Sequence, residues 1–380
     1  MSADPELGLV YIPTNGVTID YYGGFHPGDN LYGTSLIALD AKTGERAWHF
    51  QLVHHDIWNY DTPTAPVLMD VMMNGESVPI VAQATKQNML FTFNRKTGEP
   101  IWPIEEREVP ASDIPGEQLA ATQPFTTKPA PYGMQGITED DLVDFTPELR
   151  AQAVEALKEH KIGPLFNPPL HRDNDQGYRA AYWCPGDNGG TNIYGPTVGD
   201  PETGLMYVVT QKGCSSRIVV SGEERDKNIK KPTGRTFSDF ASLQPDRVSH
   251  PAGIPLLKPP YSHITAIDMK TGEHVWQLPV GETPDRYRDN PALEGVDIGE
   301  TGSGRHAAMM ATKTAFIYAG DLSDDTPALF FVDKATGETV GYVELDGRVN
   351  YGMSTYVHDG TQYILLQTGP KLTALSLGDF

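Results

Sequence analysis

The chain has 380 residues, enough for two or three ordinary domains or one large all-β repeat array, and enough to bury a substantial core. Its 38 glycines and 31 prolines mark frequent turns, while aromatic and branched aliphatic residues spread throughout argue against disorder. A net charge of −21, with the acidic residues scattered, disfavours nucleic acid and anionic lipid as partners, and no apolar run reaches the roughly 18 residues a membrane span needs.

The first segment, MSADPELGLVYIPT, lacks the basic and apolar regions of a signal peptide, so no export address is read there. Residues 8–14 (GLVYIPT) read as a strand, and Asn15-Gly16 behind them is the strongest short turn signal known. Next comes ALDAKTGERAWHF (38–50), the first copy of a repeat that recurs as TFNRKTGEPIWPI (92–104) and AIDMKTGEHVWQL (266–278). The shared frame is an apolar residue, Asp or Asn, two residues, Thr-Gly-Glu, two residues, then Trp. A fourth copy, FVDKATGETVGYV (331–343), has Gly341 where Trp belongs. Each copy reads as strand, tight turn, strand, with Asp and Thr bonding the turn backbone and Gly taking positive φ. Further short strands are expected at 79–85, 204–210, 314–320 and 362–369. Short antiparallel strands with one Trp per repeat indicate an all-β protein built from β-propeller blades, each Trp docking on the neighbouring blade.

Between the first two copies lies VHHDIWNYDTPTAPVL (53–68), which gathers His54, His55, Asp56, Trp58, Asn59 and Asp61. It reads as the inner strand of a blade bringing polar groups to a central site. His54 and His55 then point to opposite sides, while Asn59 and Asp61, two apart, share a face. The period breaks between Thr97 and Thr271. An insertion is expected over about 103–180, with one helix near 147–161: Thr146 suits the N-cap, Pro147 the first helical position, and Leu149, Ala153 and Leu157 one face. Lys158, His160 and Lys161 would close its last turn. Inserts of this length commonly cover a binding face. Cys184 and Cys214 lack metal-type spacing, and a disulfide and two inert thiols both stay open. GSGRH (302–306) lacks the strand–turn–helix context of a hydrolase nucleophile elbow.

The frame D-x-x-T-G-x-x-x-W, the stretch HHDIWNYDTPTAPVL, TKQNMLFTFNRKTGEPIW, PGDNGGTNIYGPTVGDPETGLMYV and GTQYILLQTG occur in colinear order from about Asp4 to the C-terminus. Together they resemble the pyrroloquinoline quinone (PQQ)-dependent dehydrogenases, and the paired histidines resemble the glucose and quinate branch. The resemblance implies part of an eight-bladed propeller, about four to five blades of its C-terminal portion, with the preceding half absent. It implies oxidation of an alcohol, polyol or sugar hydroxyl, with electrons passing through PQQ to a quinone or cytochrome acceptor, in the periplasm. A cation, calcium or a lanthanide, would polarise the quinone carbonyl through oxygen ligands. The competing reading is a non-catalytic propeller that serves as a scaffold or binding module.

Carried over residue by residue, the resemblance places Asn59 where the family has its catalytic Asp after Trp, and an amide cannot act as a carboxylate base. Asp61 is left as cation ligand, substitute base or turn residue. Asn15, in an inverted Asn-Gly order, is the candidate for a second cation ligand. Lys86 falls beside the quinone, where its charge would stabilise the reduced cofactor. Asn192, in GGTNIYG, matches a cofactor contact with Ile193 in place of Trp, and Trp58 is placed beside the cofactor.

Overall fold

The computed structural model describes residues 1–193, 195–228, 238–244 and 247–376; Tyr194 of the GGTNIYG motif lies outside them. Five antiparallel sheets follow one another along the chain, each with its strands in sequential order. The first holds Ser2–Asp4, Leu9–Pro13, Ser35–Asp40 and Arg46–Gln51, and the second Val67–Met73, Glu76–Ala84 and Leu90–Asn94. The third holds Val198–Asp200, Leu205–Gln211, Ser262–Asp268 and Glu273–Pro279, and the fourth Met309–Ala311, Phe316–Ser323, Thr326–Val332 and Thr339–Glu344. Ser354–His358, Thr361–Thr368 and Lys371–Ser376 make the fifth. The first strands of the first four sheets neighbour one another, and apolar layers fill the gaps between sheets. Tyr207 of the third sheet stacks on Phe316 of the fourth at 4.2 Å between centroids. This is the all-β, propeller-like stacking that the repeats predict.

The repeat frame earns its spacing between sheets as well as within them. Trp48 of the first sheet donates its indole N–H to Arg95 O of the second at 3.1 Å, and Trp276 of the third donates to Lys334 O of the fourth at 3.0 Å. Each ring lies on the turn glycine of the next copy. A Cβ on Gly98 would fall 2.7 Å from the Trp48 ring, one on Gly337 2.7 Å from Trp276, and one on Gly272 3.1 Å from Trp102. Gly341, in the Trp position of the fourth copy, faces nothing within 4 Å. Buried ion pairs reinforce two of these junctions: Asp4 with Arg95 at 2.6 Å and Asp200 with Lys334 at 2.7 Å. At the junction of the second and third sheets, buried Met269 stands in the equivalent turn position. Gly98 also has φ +77°. Gly98→Ala therefore combines left-handed strain with overpacking and is expected to cost about 2–4 kcal/mol, measured by denaturant unfolding.

The period breaks at two insertions. The first follows the second sheet. It holds a hairpin of Ile104–Glu108 with Thr122–Thr126 and a helix, Pro147–Leu157. Thr146 Oγ1 accepts from Leu149 N at 3.2 Å, and Leu149, Ala153 and Leu157 are buried. The helix stops four residues short of the predicted end, because His160–Lys161 form a strand against Ala180–Ala181. The second insertion links Leu205–Gln211 to Ser262–Asp268. Its strands Ser215–Ser221 and Phe240–Leu243 join His160–Lys161, Leu170–His171 and Ala180–Trp183 in one five-stranded accessory sheet. The accessory structure thus extends well beyond residue 180. The Cys184–Cys214 disulfide ties the two insertions together. No helix among the described residues is long and apolar enough to cross a membrane.

Candidate functional site

Sequential antiparallel order gives each sheet two different ends. Turns joining strands one to two and three to four, including the Thr-Gly turns, lie at one end. Connections two to three, and the segments entering the first strand of each sheet, lie at the other. The candidate residues converge on this second end. Asn15 lies between the second and third strands of the first sheet, Lys86 between those of the second, Asn59 and Asp61 on the first crossing, and Asn192 ahead of the third sheet.

Residues 52–66 are a loop, not the inner strand predicted. His55 and Asn59 take positive φ, 47° and 60°, which no strand accommodates. Asp56 sets this conformation. Its carboxylate, 5 % exposed, accepts from Trp58 N at 2.9 Å, from Tyr60 N at 2.9 Å and from Thr34 Oγ1 at 2.9 Å. Such local bonds compete with a sheet ladder and win here. Burial pushes the Asp56 pKa up to about 6 against the pull of these donors.

The loop delivers Asn59 and Asp61 to Lys86, whose side chain is 4 % exposed. The Lys86 ammonium donates to Asn59 O at 2.7 Å, Asn59 Oδ1 at 2.6 Å and Asp61 Oδ2 at 3.1 Å, which uses all three protons. Asp61 Oδ1 accepts from Gly16 N at 3.2 Å. Asn59 Nδ2 donates to Asp20 Oδ2 at 2.8 Å. Burial raises the Asp20 pKa, with Asp61 adding to the rise while the Asn59 bond and Lys86 oppose it. Asp20, which sequence reasoning passed over, is therefore the second carboxylate of the array. A topological signal was available, since it sits in the same two-to-three connection as Asn15.

The other expected residues fare differently. Asn15 is exposed, and it is the neighbouring Gly16 that meets Asp61. Trp58 is fully buried, donates its indole N–H to Asn167 O at 3.0 Å and packs on Tyr60 and Phe166 of the core. Asn192, 5 % exposed, donates to Asp187 O and borders a cleft of about 390 Å³ between the third, fourth and fifth sheets. His54 turns outward to Gln51 and Glu106. His55 turns inward to Glu117 of the insertion, at 2.8 Å with both side chains buried.

A hard cation asks for about six to eight oxygens. Here the side-chain oxygens of Asn59 and Asp61 are already engaged by Lys86, and no group of three His, Cys, Asp or Glu among the described residues could hold a metal. By themselves these residues do not make a cation cage. A buried ammonium and a polar cleft lined by Arg305 and Arg348 instead place positive charge at this end of the sheets.

Comparison with known proteins identifies the family and the fold. The chain is 32 % identical over 298 residues to the quinate/shikimate dehydrogenase (quinone) of Acinetobacter baylyi, covering 75 % of this chain and 36 % of that protein. It is 29 % identical over 397 residues to the glycerol dehydrogenase large subunit of Gluconobacter thailandicus, covering 97 % of this chain and 51 % of the relative. The chain thus spans about half or less of the length of these relatives. Among solved structures, the fold matches a quinohemoprotein alcohol dehydrogenase from Comamonas testosteroni with a TM-score of 0.57 and 19 % identity, over 96 % of this chain and 43 % of that one. A europium-containing methanol dehydrogenase matches with a TM-score of 0.56 and 17 % identity, over 97 % of this chain and 50 % of that one. Residues 1–364 match the family described as "PQQ: Glucose/ethanol/alcohol dehydrogenase, beta-propeller domain", and the chain belongs to that family.

Proposed function

We propose that this chain supplies one side of a PQQ-dependent site that oxidises an alcohol, polyol or sugar hydroxyl. The observation that carries the reading is the buried Lys86 ammonium, held by Asn59 and Asp61 at the end of the sheets where the cleft opens. When bound, PQQ would supply a quinone that accepts two electrons from the substrate carbon. The chain's own part is electrostatic and positional. Lys86 would offer its ammonium to the negative charge of a reduced quinone, and Asn192 borders the same end. Asn59 cannot take a proton; it orients Asp20 and Lys86 by its two amide atoms. Asp61 is committed to Lys86 and to Gly16 N–H, so Asp20, with its raised pKa and the Asn59 amide holding it in place, is the carboxylate prepared to receive the hydroxyl proton.

The resemblance also implies a calcium or lanthanide ion at Asp61 and Asn15. The bonding of Asp61 to Lys86 and the exposure of Asn15 do not favour it in these residues alone, and no step here runs through a cation. A quinone or cytochrome acceptor and a periplasmic setting complete the reading; the quinone named for the Acinetobacter baylyi relative supports the former.

Titrating PQQ against tryptophan fluorescence tests this. Saturable quenching is expected, with affinity at least tenfold weaker in Lys86→Met. Asp20→Asn is expected to leave binding within about threefold while lowering dye-linked turnover by about 100-fold. Absence of saturable binding at high micromolar PQQ sinks the reading and leaves the scaffold alternative.

A further inference from the structure

The cleft beside Asn192 has a chemistry of its own. It is bounded by the crossings into the fourth and fifth sheets, which bring Arg305, His306 and Arg348 to the same end as Lys86. Both arginines meet one carboxylate. Arg348 Nε lies 2.9 Å from Asp321 Oδ1, and Arg305 Nε 3.4 Å from Asp321 Oδ2. Two guanidiniums around one carboxylate leave a net positive charge, in a chain whose total is −21. His306 adds no second charge at neutral pH, because burial holds its pKa down at about 4. Low-dielectric walls around a local positive site concentrate small anions.

The two arginines are not equivalent. Arg348 also donates to the Asp324 carbonyl and is two-thirds covered, so it ties the crossing between the fourth and fifth sheets to the fourth. Arg305 makes one long ion-pair contact and its side chain is 53 % exposed, which leaves its planar fork free to turn toward a ligand. The amides of Asn192 and Gln211, which donate to Asp187 O and Asn188 O, also line the cleft and add polar surface suited to hydroxyl groups. A volume of about 390 Å³ suits a compact polar molecule.

We propose that this cleft binds a small organic carboxylate, that Arg305 closes on the carboxylate as a bidentate partner, and that Asp321 holds the arginine's place until the ligand arrives. The site uses different residues from the Lys86 array and extends the reading above to a second recognition element. A hydroxy acid is the ligand this chemistry fits, and the probes distinguish it from the cofactor.

Quinate and glycerol would be titrated by calorimetry, and PQQ by fluorescence, against the wild-type chain, Arg305→Gln and Asp321→Asn. For a hydroxy-acid site, quinate binds, glycerol does not, and Arg305→Gln weakens quinate at least tenfold with Tm unchanged. Asp321→Asn removes the competing carboxylate and is expected to tighten quinate several-fold, a gain that a merely bracing role for Asp321 cannot give. If Arg305→Gln weakens PQQ and quinate does not bind, the cleft is part of the cofactor site and the proposal is overturned. If Arg305→Gln changes neither ligand, or Asp321→Asn only lowers Tm, the proposal is overturned. Failure of wild-type PQQ binding beside intact, Arg305-dependent quinate binding would instead strike the Lys86 reading and leave this one standing.

Discussion

Replacing Glu117 with alanine is expected to lower the stability of the chain by about 3–5 kcal/mol, the loss typical of orphaning one partner of a buried ion pair. His55 faces two acceptors: Nε2 meets Glu117 Oε1 at 2.8 Å and Nδ1 meets the Gly28 carbonyl at 2.6 Å, with Asn30 Nδ2 also 3.0 Å from Nδ1. Only the imidazolium has a proton for each. Glu117 Oε2 in turn accepts from Gly23 N at 2.5 Å, so the carboxylate is wanted in its charged form. Burial alone would discharge both groups, but their mutual bond and the backbone partners outweigh it. The His55 pKa is raised, with Asp29 contributing, and that of Glu117 is lowered. The sign of the pH dependence follows. The raised His55 stabilises fully below its ordinary value of 6.5 and loses that contribution as pH climbs through its folded value. The lowered Glu117 stabilises fully above 4.5 and loses its contribution as pH falls through its folded value. The difference in Tm between wild type and Glu117→Ala should therefore plateau between about pH 4.5 and 6.5 and shrink on both sides. A difference independent of pH from 3 to 9 would refute the ion pair.

The second large effect concerns Trp58. Trp58→Ala removes a fully buried indole packed on Tyr60 and Phe166, with its N–H bound to Asn167 O. Such truncations cost about 3–5 kcal/mol. Trp58→Phe should recover much of that stability, losing mainly the hydrogen bond. Because the ring lies in the core, PQQ affinity measured on folded Trp58→Phe should stay within about threefold of wild type. A tenfold loss without a change in Tm would return Trp58 to the cofactor.

The sequence foretells the repeats well because their signals are local. Asp, Thr and Gly at fixed offsets dictate a turn whatever lies beyond it, and Trp48 and Trp276 dock as their periodicity suggests. The polar stretch at 53–68 misleads for the opposite reason. Alternation of residue types reads as a strand, but Asp56 captures the N–H groups of Trp58 and Tyr60 and folds the segment back on itself. The accessory sheet is illegible because its two-residue strands pair across segments that share no pattern. In the candidate site, the resemblance points to Lys86, Asn59 and Asp61, which the structure brings together. Asp20 and Glu117 are not, since their contacts bridge 39 and 62 residues and no nearby motif announces them. Neither is the meeting of Arg305 and Arg348 over Asp321, which depends on how two crossings lie side by side.

The docking of Trp48, Trp102 and Trp276 on the following turn glycine means that the first four sheets are recognised chiefly by their immediate neighbours. Stability then behaves as a string of nearest-neighbour couplings, one term per junction. A perturbation such as Gly98→Ala should loosen one link and be felt progressively less with distance along the string. Hydrogen-exchange protection would show it as a local dip centred on that link, with the remote sheets keeping their own rates.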